Sequence, residues 1–103
     1  MRTMLQVSVP VEKGNKAIAD GSLPKLVQGL LADLKPEAAY FFASEGLRSF
    51  VVVFDLADPS QIPAIAEPLF MLLDAEVDFR PVMTAEDLAK GLGAAEQSVK
   101  KYS

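Results

Sequence analysis

The chain contains no cysteine, no histidine and no tryptophan. Without cysteine there is no disulfide, no thiolate nucleophile and no thiolate-held metal or iron–sulfur site. Without histidine the commonest general base, metal ligand and haem ligand is also missing, so the sequence points to no cofactor. Positive charge is scarce too. Ten Lys and Arg stand against 14 Asp and Glu, for a net charge of −4, and the only basic pair is Lys100-Lys101. Nucleic acid as a partner is disfavoured, because phosphate contacts need concentrated positive charge. No apolar run approaches the roughly 20 residues that span a bilayer. Arg2 is followed by an alternation through Gln6 and Ser8 to Pro10 rather than by the continuous apolar stretch of a signal peptide. The expectation is a cytoplasmic protein that engages no membrane.

What the chain does have is apolar surface in excess of what one small domain needs. Its 103 residues correspond to a single domain, residues 1–103, and half of them are hydrophobic. The run Phe50-Val51-Val52-Val53-Phe54 is apolar at both even and odd positions. A strand alternates its side chains between two faces, so such a run calls for cover on both. One layer of helices can cover one face, and a second copy of the chain is expected to cover the other.

Arg2 to Val9 alternates cleanly, with Leu5, Val7 and Val9 on one face and Met4, Gln6 and Ser8 on the other, which predicts a half-buried strand. After Pro10, Asn15 is the expected cap of a short helix that Gly21 ends. Ser22 is expected to cap a second helix, in which Leu23, Leu26, Val27, Leu30, Leu31 and Leu34 recur at helical spacing until Lys35-Pro36. Gly29 inside it suggests a close helix contact. Ala38–Ala43 and Leu47–Leu56 read as strands joined through Ser44-Glu45-Gly46 in a hairpin. Asp58-Pro59-Ser60-Gln61 carries an N-cap Asp, a Pro at the first helical position and a Gln at N3, and opens a helix whose interior Pro68 predicts an irregularity. Val77–Val82 is the fourth strand, with Pro81 suited to a sheet edge. Thr84-Ala85-Glu86-Asp87 opens a short last helix expected to stop at Gly91-Leu92-Gly93, leaving residues 94–103 as a polar tail.

The order is βαββαβ, an α+β fold of the ferredoxin-like kind, with an antiparallel sheet, helices on one face and the first and third strands at its centre. From Arg2 to Val82 the chain resembles the dimeric α/β-barrel superfamily in topology. The segments Val9-Pro10-Val11-Glu12-Lys13-Gly14-Asn15, Asp20-Gly21-Ser22-Leu23-Pro24-Lys25, Lys35-Pro36-Glu37-Ala38-Ala39-Tyr40-Phe41 and Asp58-Pro59-Ser60-Gln61-Ile62-Pro63 resemble those of an uncharacterised group of small bacterial proteins. The resemblance implies a homodimer with its sheets face to face. It brings no activity, and the histidine-dependent roles of superfamily enzymes have no residue here to fill them.

Four side chains are candidates to touch a small organic ligand. Gln6 and Ser8 lie on the mixed face of a central strand, Tyr40 offers a hydroxyl on an amphipathic ring, and Arg80 offers a fork of donors for an anion. Each has a plainer explanation: mutual hydrogen bonds for Gln6 and Ser8, an interface ring for Tyr40 and a surface ion pair with Asp78 for Arg80. Asp55, at the end of a central strand, would become a usable base only if buried. Glu45 and Arg48 are expected to pair across the hairpin. Two functional readings follow. One is a homodimeric small-molecule-binding or interaction module. The alternative is a cofactor-independent enzyme holding its substrate between sheet and helices. The lack of His, Cys and any close carboxylate pair favours the first.

Overall fold

The computed structural model describes Met1–Ser103 and contains a four-stranded antiparallel sheet with four α-helices. In chain order these are β1 (Arg2–Val9), α1 (Val11–Ala19), α2 (Ser22–Leu34), β2 (Ala38–Ser44), β3 (Leu47–Asp55), α3 (Ile62–Leu73), β4 (Glu76–Pro81) and α4 (Ala85–Tyr102). The strand order is β2-β3-β1-β4, with β1 and β3 in the middle. Leu5 stands opposite Val52 on one side and Phe79 on the other, and Val52 stands opposite Ala39. This row, with Val7, Val9, Phe50 and Phe54, faces the helices and joins Leu23, Ile65, Leu69 and Leu73 in one core. Leu5, Val7, Val52 and Leu69 are wholly buried.

The connections follow from local chemistry. Glu45 and Gly46 both have positive φ, 52° and 77°, as a two-residue type I′ hairpin requires, and they join Ser44 to its partner Leu47. Gly21, at φ 79°, turns the chain between α1 and α2 in a conformation open to glycine. Asp58 accepts a hydrogen bond from the Ser60 N–H at 2.9 Å, and Gln61 Oε1 accepts from the Asp58 N–H at 3.2 Å. This capping box closes a 3-10 turn over Pro59–Gln61 that leads into α3.

Several expectations need correction. The first helix starts at Val11, directly after Pro10, rather than at Asn15, because Pro10 at φ −57° already holds the chain for a helical turn and Glu12 suits its positive end. Asn15 instead accepts a hydrogen bond from Arg48 at 3.0 Å, which also removes Arg48 from the expected pair with Glu45. Asp20, not Ser22, supplies the carboxylate at the α2 start, accepting from the Ser22 N–H at 2.8 Å. Gly29 marks no close contact, since a methyl group there would meet nothing within 4 Å. Helix α3 runs through Pro68 without a break. Both Ala64, whose carbonyl loses its donor, and Pro68 lie on the exposed side, where water can serve that carbonyl.

The last helix departs furthest from expectation. It continues through Gly91 and Gly93 to Tyr102, so residues 94–103 are no tail. Neither glycine has the positive φ of a helix terminator. Thr84 and Asp87 form a reciprocal capping box, and Glu86–Lys90 and Glu96–Lys100 pairs lie along the helix. None of its residues is buried. It stands out from the domain, which gives extents of 56 × 28 × 21 Å and a radius of gyration of 17.0 Å.

Candidate functional site

The sheet has one face under helices and one with none, and strand alternation decides which side chains reach the open face. Three rows cross it. Arg80, Met4, Val53 and Ala38 form the first, Asp78, Gln6, Val51 and Tyr40 the second, and Glu76, Ser8, Ser49 and Phe42 the third. The four candidates Gln6, Ser8, Tyr40 and Arg80 therefore share one surface. Its two halves differ in chemistry. The β2–β3 half carries Tyr40, Phe42, Val51 and Val53, whereas the β1–β4 half carries Gln6, Ser8, Glu76, Asp78 and Arg80.

The polar groups on this face are partly engaged with one another. The Ser49 hydroxyl donates to the Leu47 carbonyl at 3.1 Å, which leaves the Ser8 hydroxyl, 2.9 Å away, as donor to Ser49. Arg80 grips the Asp78 carboxylate with Nε at 2.7 Å and Nη2 at 2.6 Å, both side chains being well exposed. Gln6 is half-buried and Tyr40 is 66% exposed, and neither side chain makes a hydrogen bond within the chain. The face thus offers a free amide and a free phenol in one row, next to a guanidinium whose fork is held by a neighbouring carboxylate. That arrangement can orient a polar ligand; it contains no nucleophile beside a base.

These residues do not lie between sheet and helices, because they point to the side the helices leave open. The space on the helix side belongs to other residues. A groove of about 440 Å³ runs between α2 and α3 over Leu26, Leu30, Ile65 and Leu69, with Gly29 and Pro68 on its walls. Another of about 380 Å³ lies between α2 and the edge strand β2, lined by Leu23, Val27, Phe41 and Phe50. The first also has Lys25 and Asp33 in its lining, whereas the second is almost wholly apolar, and neither was singled out by the residue pattern. The available signal was α3 itself, whose sequence Ile-Pro-Ala-Ile-Ala-Glu-Pro-Leu-Phe-Met-Leu-Leu is apolar nearly all round and leaves Met71 and Leu72 exposed.

Asp55 is also resolved. It is exposed rather than buried and pairs with the Met1 amine. The carboxylates that depart from their ordinary range do so as helix caps. Asp87, hydrogen-bonded by Thr84, Asp58, hydrogen-bonded by Ser60, and Asp20, hydrogen-bonded by Ser22, are all held below it. The Arg2 guanidinium is held above its usual value by its hydrogen bond and ion pair with Glu37. No helix is long and apolar enough to cross a membrane. No family model matches the chain, and no curated protein matches it.

Proposed function

We propose that the chain is a homodimeric binding module. In this reading a ferredoxin-like domain pairs through its open sheet face into a dimeric α/β barrel and takes a small organic ligand along the polar rows. The observation that carries it is the open face itself, where Tyr40, Phe42, Val51 and Val53 lie side by side with nothing of this chain over them. Contiguous apolar surface of this kind marks an interaction site in a soluble protein. Pairing two such faces would cover the apolar halves and leave Gln6, Ser8, Tyr40 and Arg80 beside the enclosed space. A carboxylate ligand would compete with Asp78 for the Arg80 fork, and Gln6 would supply the neutral contact.

The strand order and the two helical crossovers support the ferredoxin-like reading. Val51→Asp tests the pairing, because it places a charge on the open face without entering the helix-side core. Light scattering should report a pairing lost in this variant and an unchanged far-ultraviolet spectrum; an unchanged mass would remove the sheet-face dimer. For the ligand, aromatic and carboxylate metabolites are screened by thermal shift on the wild type, Gln6→Ala and Arg80→Ala. A stabilisation reduced in both variants is expected, and one undiminished in both would exclude this face as the site.

A further inference from the structure

The unpartnered helix α4 carries its apolar residues in heptad order. Ala85, Leu88, Leu92, Ala95, Val99 and Tyr102 follow one another in alternating steps of three and four, which lines them along one seam over the whole helix. Leu88, Leu92, Val99 and Tyr102 are all exposed. A short stripe of apolar residues on a surface helix normally faces its own domain. This one faces nothing in the chain, although it extends for about 27 Å at 1.5 Å per residue.

From this seam we infer that α4 pairs with the α4 of a second copy, antiparallel, about a two-fold axis near Gly93 and Ala94. Setting Leu92 opposite the partner's Ala95 brings Leu88 opposite the partner's Val99 and Ala85 opposite the partner's Tyr102. Each layer then joins a larger side chain to a smaller one, the condition for interdigitation without voids. The same register brings Glu86 level with the partner's Lys101 and Asp87 level with the partner's Lys100. The charges of the helix are divided so that its acidic first turn and basic last turn are complementary only when the helices run in opposite directions. The helix dipoles favour the same orientation. Ala89, Gly91 and Ser98 flank the seam and are small enough for the two backbones to approach. A parallel pair would instead set Tyr102 against the partner's Tyr102 and place like charges together at both ends.

This surface is separate from the open sheet face. The antiparallel pair holds its two domains at opposite ends of a rod, so its two-fold axis cannot be the one that closes two sheets. Where both contacts operate, the assembly exceeds a dimer; where only α4 pairs, it is a dimer that sheet-face substitutions leave intact.

The absence of native cysteine makes the register directly testable. Leu88→Cys and Val99→Cys are prepared as separate full-length variants, and oxidised alone and as a mixture. In the antiparallel register each introduced thiol lies about 16 Å along the axis from its own copy in the partner, beyond disulfide reach, but level with the thiol of the other variant. The mixture should therefore yield a disulfide-linked dimer and each variant alone should not. Cross-linking by each variant alone would establish a parallel pair, and no cross-link in the mixture would mean no pair at all; either overturns the inference. Repeating the mixture with Val51→Asp in both chains should leave the cross-link in place, and its loss would assign the contact to the sheets and overturn the α4 pair. By light scattering, Leu92→Glu should halve the mass of the assembly with the domain still folded, and an unchanged mass would count against the pairing.

Discussion

Val51 and Val52 are neighbours in the chain and opposites in space. Val52 is wholly buried under the helices, so Val52→Asp places an unpaired charge in the core, at a cost of several kcal/mol against a typical total stability of about 5–15 kcal/mol. Loss of the folded baseline in a denaturant titration is the expected outcome, whatever the oligomeric state. Val51→Asp spares the fold by the same alternation. The five apolar residues Phe50 to Phe54 announce that both faces matter, but which residue takes which face depends on the register with Leu5 and Ala39. Gly29 illustrates the limit of reading single residues. Its place in a helical pattern was legible; the empty space around it was not, because that depends on how far α3 stands from α2. Gly29→Ala should therefore stabilise by up to about 1 kcal/mol, raising the melting temperature by several degrees. A lower melting temperature would show that a contact does form there.

Helices and strands were most legible where side-chain period and capping chemistry agree. The alternation of β1, the Asp58–Gln61 box and the Glu45-Gly46 hairpin all lie where local chemistry places them. The length of α4 was illegible because two glycines at its centre imitate a terminator, while the features that sustain it are spread over its whole length. Its start rests on Thr84 and Asp87, and Thr84→Ala should cost the helix about 1 kcal/mol, seen as lower helical circular dichroism with the sheet unaffected. Acid should act at the same place. Asp87, Asp58 and Asp20 titrate below their unfolded values, so their contribution is present above a pH of about 4 and disappears as pH falls through the lower native values. With no histidine, no side chain of ordinary pKa titrates between about pH 5 and 8. Denaturant midpoints should be level across that interval and decline below about pH 4, with α4 fraying first. A midpoint that varies steeply near pH 6.5 would contradict this.

At the scale of the molecule, the order β2-β3-β1-β4 leaves an open sheet face on one side and a free-standing helix at one end. The open face was foreseeable from Phe50–Phe54, since one chain of this length has only enough helix for one side. The candidates Gln6, Ser8, Tyr40 and Arg80 fall on that face because alternation carries from strand to strand once the register is set. The projecting helix has a hydrodynamic consequence. A compact chain of this length has a radius of gyration near 13 Å, and 17.0 Å corresponds to a compact protein on the order of 200 residues. A single copy should therefore leave a sizing column early, close to where a globular dimer would elute. Elution volume would count one molecule as two, so stoichiometry must be read from scattered light or sedimentation equilibrium, where elongation carries no weight.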